Sequence, residues 1–196
     1  YCLAIRGTRA RKMHTSRRDA FKSINELPIA KIYWENRKIE ILNENYRKRS
    51  EKKVKVDDRI EKKVALIKCY PGLNPEIFDF YLEKGYKGFV IEATGLGHVP
   101  TLGENSLLPK VEKAVSLGVP VVIASQCLYG RTHPTIYHNL RELLKRGAIF
   151  ASDMLPEVAY VKLMFVLGHE KKMEKVKEMM LTNLAGEISE RLEWVE

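Results

Sequence analysis

The sequence predicts a mixed α/β protein whose larger part is a parallel three-layer α/β domain. Three observations carry that prediction. From Val64 onward, short apolar runs alternate with amphipathic stretches of helical length, punctuated by Gly and Pro. The runs "VALIKCY", "GFVIEAT" and "VPVVIAS" are close to continuously apolar, as in strands covered on both faces. Hydrophobic residues make up 45% of the 196 positions, enough for a sizeable core. Strands separated by helices in this way form right-handed βαβ units and a parallel sheet.

The elements follow in order. "VALIKCY" (64–70) is the first strand of the unit. "GLNPEIFDFYLEKG" is a helix with Asn74 as N-cap, Pro75 at the first helical position and Gly85 just past the end. Its apolar face holds Ile77, Phe78, Tyr81 and Leu82. "GFVIEAT" is the second strand, and "NSLLPKVEKAVSLG" a helix with Leu107, Leu108, Val111, Ala114 and Val115 inward. "VPVVIAS" and the helix "TIYHNLRELLKRG" come next, then a short strand, "AIFAS". "DMLPEVAYVKLMFVLG" reads as a strongly apolar helix capped by Asp153. Two charged helices, about 170–182 and 185–193, close the chain.

Before Val64 the pattern changes. "AKIYWENRKIEIL" (30–42) alternates apolar and polar residues about Glu35-Asn36-Arg37, which predicts a β-hairpin. Residues 46–63 are dense in charge of both signs and poor in apolar residues, the signature of a solvated linker. The organisation predicted is therefore residues 1–45, a linker at 46–63, and an α/β domain at 64–196. The chain opens on Tyr1 inside an apolar run, which reads as a piece of a longer polypeptide.

Composition narrows the function classes. Three scattered cysteines (Cys2, Cys69, Cys127) argue against a disulfide framework or zinc site and for a reducing cytoplasm. No apolar run approaches the roughly 20 residues that span a bilayer, and no signal peptide is apparent. The net charge of +9 is uneven. Residues 1–63 hold 19 Lys/Arg against 9 Asp/Glu, and residues 64–196 hold 15 against 16. A basic first third is a reason to consider nucleic acid as a partner.

Ligands of open α/β sheets sit beyond the carboxyl ends of the strands. Those ends are 69–74, 93–105 and 124–135, the second a long loop with Gly95, Gly97 and Gly103. It is not a dinucleotide fingerprint, because Pro100 stands where a third glycine is needed. A shaped loop packing against a neighbour is the plainer reading. Cys127 follows a strand end, where a nucleophile would be well presented, yet a buried or half-buried thiol is the stronger expectation. His133 and His138 make a poor metal pair without a second one. Lys12 stands among Arg6, Arg9, Arg11, Arg17 and Arg18, and cationic neighbours disfavour a lysine's charged form. A lysine so tuned can accept a proton; a run of solvated cations is the other reading.

Taken together, "IRGTRARKMHTSRRDAFKSIN" (5–25), "YRKRS" (46–50), "DDRIEKKVALIKCYPGL" (57–73), "VIEATGLGHVP" (90–100), "SQCLYGR" (125–131) and "DMLPEVAYVKLMFVLG" (153–168) resemble the asparaginase-like amidohydrolase family. The linker, "TGLGHV" and "SQCLYGR" are most similar to its branch of D subunits from archaeal tRNA-dependent amidotransferases. The motifs run through nearly the whole chain in the expected order.

The resemblance implies side-chain amide hydrolysis by a threonine nucleophile, activated by a Thr-Asp-Lys set whose lysine falls on Lys12. It implies glutamine as the ammonia donor for converting Glu-tRNA(Gln) to Gln-tRNA(Gln) on an E subunit that uses ATP and Mg. It also implies a homodimer of D subunits with E subunits attached, and residues 1–45 as the end of an N-terminal α/β amidohydrolase domain. No cofactor or metal is assigned to this chain, and no membrane. The "TGGT" and "HGTDT" kinds of motif, which would carry the threonines and aspartate, do not occur here, so this chain alone is expected to be inactive. Thr8 and Thr15 do not match those positions, and Leu96 stands where related asparaginases have an amide that serves the neighbouring subunit. A free-standing archaeal L-asparaginase is the alternative, disfavoured by the basic linker. A basic nucleic-acid-binding module ranks third, because aromatics are not interleaved with the cations.

Overall fold

The computed structural model describes residues 1–192. Its centre is a four-stranded, all-parallel sheet in the order β6 (Val64–Lys68), β7 (Gly88–Ala93), β8 (Val121–Ser125) and β9 (Ile149–Phe150). Register is in step across β6 and β7, from Val64 opposite Gly88 to Lys68 opposite Glu92. Because neighbouring strands are also consecutive, right-handed crossovers place α1 (Glu76–Glu83), α2 (Leu108–Ser116) and α3 (His138–Lys145) on one face. The opposite face is left for α4 (Pro156–His169) and α5 (Met173–Leu181). Three layers result, as the sequence pattern predicts.

Period-two alternation sorts the strand side chains between two cores. Ala65, Ile67, Phe89, Ile91, Val121 and Ile123 meet Phe78, Val111, Leu140 and Leu143 of the first helical layer. Val64, Val90, Val122 and Ile149 meet Ala159, Leu163, Val166, Val176 and Met180 of the second. α4 packs closely over Gly88, where a Cβ would lie 2.8 Å from Leu167 Cδ1 and 2.9 Å from Leu163 Cδ2. α1 begins one residue later than predicted, with Pro75 at the N-cap position, and Asn74 Oδ1 accepts from the Glu76 amide at 2.9 Å.

The first third forms two small antiparallel units. β1 (Cys2–Ala4), β4 (Ala30–Tyr33) and β5 (Lys38–Ile41) make a sheet in the order β1-β4-β5, with the expected hairpin turning at Trp34–Arg37. β2 (Ala10–Lys12) pairs with β3 (Phe21–Ser23) alone.

Three further expectations need correction. Asp153 does not cap α4, whose first residue is Pro156; its carboxylate turns instead to Arg9. The second closing helix, 185–193, is not formed in its described part, 185–192. Glu187 accepts from the amides of Leu184 at 3.0 Å and Ala185 at 2.5 Å, Gly186 takes a φ of +80°, and the chain is fixed as a turn. The linker has no regular structure but is not wholly solvated. Its end lies on α4: the Glu61 amide donates to Met164 O at 2.9 Å, and a Cβ on Gly168 would fall 2.5 Å from Arg59 O.

Candidate functional site

Lys12 ends β2, exposed, opposite Phe21. With Met13, His14 and Thr15 it lines a shallow hollow of about 270 Å3. The hairpin closes through Met13, whose amide donates to Ala20 O at 2.6 Å. Thr8 lies apart from it: its hydroxyl donates to Ala185 O at 3.0 Å, a bond that ties the turn before β2 to the C-terminal loop.

Most of the arginines around Lys12 in the sequence are engaged by carboxylates. Arg6 forms a fork on Glu26 at 2.8 and 3.0 Å, Arg11 pairs with Glu157, and Arg17 with Asp19. Arg9 is buried and pairs with Asp153 at 2.9 Å, both side chains nearly inaccessible. Four of the five cations therefore have carboxylate partners. The pattern fits anchoring rather than a cationic cage around the lysine.

The anchoring is dense. Arg9 donates from Nε to Gly186 O at 2.8 Å and from Nη2 to Ser189 Oγ at 2.9 Å. Asn25, at φ +59°, donates to Asp153 O at 3.0 Å and Gly130 O at 3.1 Å, and accepts from the Gly130 amide at 2.9 Å. Beneath the C-terminal loop, Lys162 and Glu187 form a buried pair at 2.5 Å. Burial pushes the Lys162 ammonium below the ordinary lysine range, against the pull of Glu187. Burial pushes Glu187 up, but Lys162 and the amides of Leu184 and Ala185 outweigh it, so its carboxyl lies below the usual range. A polar cleft of about 1140 Å3 runs along this seam, lined by Arg6, Asn45, Arg47, Arg131, Ser189 and Glu190 among others.

At the carboxyl ends of the strands the loops are locked to one another. Gln126 Nε2 donates to Cys69 O and, at 2.8 Å, to Glu92 O. Ser125 Oγ donates to Gly95 O at 2.5 Å, and the His133 amide to Leu96 O at 3.0 Å. Gly97 has φ +113°, and a Cβ there would press on Phe150 at 2.9 Å. The glycines thus serve a tight turn over the sheet. Cys127 is exposed, not buried or half-buried as expected. Among the described residues no side chain hydrogen-bonds its Sγ, and no group of three or more His, Cys, Asp or Glu could hold a metal. No helix among them is long and apolar enough to cross a membrane.

Residues 63–180 match the family model of the glutaminase/asparaginase C-terminal domain. The chain belongs to the glutaminase/asparaginase family. Residues 3–47 match a second model, that of the N-terminal asparaginase domain, so Lys12 and its anchors lie in one family segment and Asp153 in the other. Among curated relatives, the D subunit of the glutamyl-tRNA(Gln) amidotransferase of Pyrococcus abyssi is 61% identical over 96% of this chain. The protein of the same name from Thermococcus kodakarensis is 57% identical over 96%. This chain spans 42% of the length of each. Among solved structures, the thermostable L-asparaginase from Thermococcus kodakarensis superposes with a TM-score of 0.84 at 32% identity, over 95% of this chain and 55% of that one. L-asparaginase I from Vibrio cholerae gives 0.81 at 30%, over 94% and 55%.

Sequence reasoning does not single out Arg9, Asn25, Asp153 and Glu187 for these roles. Arg9 and Asn25 meet Asp153 across 144 and 128 residues, and a left-handed asparagine leaves no periodic signal.

Proposed function

We propose that these residues belong to the D subunit of a tRNA-dependent amidotransferase, which hydrolyses glutamine and supplies ammonia for converting Glu-tRNA(Gln) to Gln-tRNA(Gln). The observation that carries this reading is a contrast within one organism. This chain is 57% identical to the amidotransferase D subunit of Thermococcus kodakarensis and 32% identical to that organism's L-asparaginase, over nearly the same residues. A free-standing asparaginase is the weaker reading for that reason.

In the proposed reaction, Lys12 and an aspartate together draw the proton from a threonine hydroxyl. The alkoxide attacks the glutamine side-chain carbonyl, the proton taken from the threonine passes to the departing nitrogen, the C–N bond breaks and ammonia leaves, and water hydrolyses the acyl-enzyme to glutamate and free threonine. The threonines and aspartate come from outside these 196 residues. Lys12 is suited to the part by its place at a strand end, exposed and bordering a hollow. Residues 1–45 then complete the amidohydrolase domain, 46–63 link it to the domain at 64–196, and the subunit pairs with a second copy and with an ATP- and Mg-using E subunit in the cytoplasm.

The test is ammonia release from glutamine by the full-length subunit, with and without E subunit and tRNA. Glutamine hydrolysis stimulated by both is expected, and Lys12→Ala lowers it by about 10²- to 10⁴-fold. Efficient asparagine hydrolysis without any partner would favour the asparaginase instead.

A further inference from the structure

Strand alternation sends neighbouring side chains of β2 to opposite sides. Arg11 of β2, and Arg9 in the turn just before it, reach the C-terminal half, to Glu157 in the first turn of α4 and to Asp153. Lys12 occupies the other register position and borders the exposed hollow. An isolated two-stranded pair is marginal in water, so the placement of Lys12 has to come from outside the β2–β3 pair.

We propose that Arg9 and Arg11 are positioning residues, fixing the strand that carries Lys12 to the approach and first turn of α4. Asp153 is their main anchor point. This rests on the role assigned to Lys12 above.

Four hydrogen bonds leave the Arg9 guanidinium: to Gly186 O at 2.8 Å, to Asp153 Oδ2 at 2.9 Å, to Asp153 O at 3.3 Å and to Ser189 Oγ at 2.9 Å. Asp153 Oδ1 is engaged by the Ser189 amide at 3.0 Å. Asn25, two residues beyond β3 and at the same open end of the pair as Arg9, donates to the same Asp153 carbonyl. The planar fork of an arginine can serve acceptors on Asp153 and on the loop at Gly186–Ser189 at once; a lysine ammonium on a shorter reach cannot. Arg11 adds a second, half-exposed attachment two residues further on. The C-terminal half thus decides where the lysine amine stands, although that lysine lies in the N-terminal family segment.

The full-length polypeptide provides the test. Spin labels at Lys12→Cys and at exposed Val161→Cys on α4 report the distance, with other reactive cysteines, Cys2 and Cys127 among them, replaced by serine. A narrow distribution is expected for the parent and a broadened one for Arg9→Lys. Arg11→Glu, whose exposed pair adds little to stability, broadens it less, and Arg11→Glu with Glu157→Arg restores it. In the unlabelled enzyme, Arg9→Lys lowers kcat by about 10- to 100-fold with KM held within about twofold. Arg11→Glu lowers kcat by up to about fivefold, recovered by the swap. Unchanged distances and kcat in either folded single variant, or a swap that fails to restore, overturn the proposal. Full activity in Lys12→Met would overturn the assignment of Lys12 instead, while the distance distributions still decide the anchoring.

Discussion

Arg9 and Asp153 show how much can depend on one residue. Both side chains are almost inaccessible, so each charge is tolerable only because the other and several hydrogen-bond partners compensate it. Removing one member leaves a buried charge uncompensated. Arg9→Met is therefore expected to destabilise the fold by about 3–5 kcal/mol, and Arg9→Met with Asp153→Leu by clearly less, because no charge is then stranded. Chemical denaturation of the three proteins, compared by midpoint at constant slope, checks this. Equal losses for the single and double variants would mean that packing, not charge compensation, dominates the site.

Among the elements, the linker end on α4 is the most sensitive to conditions. His169, at the last position of α4, has both ring nitrogens against acceptors: Phe165 O at 2.7 Å and Asp57 Oδ2 at 2.8 Å. Only an imidazolium donates to both. The bond to Asp57 and the one to Phe165 O raise the His169 pKa above its ordinary 6.5, against burial and the nearby Arg59. Arg59 forks onto Asp57 at 2.8 and 2.9 Å, and Arg59 with His169 holds that carboxyl well below the usual carboxylate range.

A group whose folded pKa is raised contributes stability that is complete below its unfolded value and lost as pH climbs through the folded value. The attachment should thus be firm in mild acid and loosen above the raised His169 pKa. Asp57 stays charged throughout that window. Tryptic cleavage at Arg59, normalised to a peptide of the same sequence, is expected to accelerate from about pH 6 to about pH 8.5 in the native chain. His169→Gln, which cannot gain the charge, should show a flat profile. A native profile equally flat would place the hold in the Glu61–Met164 backbone bond and the contact at Gly168.

For the whole molecule, the relevant quantity is where charge is left uncompensated. The arginines of the lysine segment are largely engaged with carboxylates, whereas Lys48, Arg49, Lys52 and Lys53 of the linker are exposed. If tRNA approaches this chain, those four are the expected contacts with its phosphates. Replacing them with glutamine should lower the tRNA-stimulated rate and flatten its dependence on salt, while tRNA-independent glutamine hydrolysis stays within about twofold. An unaltered salt dependence would place the tRNA elsewhere on the assembly.

The parallel sheet and its helices are legible in the amino-acid order, because their signals are local and repeated. Those signals are the apolar strand runs, Asn74 and Pro75 ahead of α1, Gly85 after it, and the periodic faces of α1 and α2. The family motifs are legible too, and with them the interest of Lys12. The partners of single polar side chains are not. Asp153 has the composition of a helix cap and Glu187 that of a helical residue, and local propensity favours both readings. Folding overrides it, because a buried Arg9 and a buried Lys162 each require a carboxylate, and the chain conformation yields to that demand. For the same reason the basic run around Lys12 reads as a cationic arm in the sequence and becomes, once folded, the seam joining two family segments.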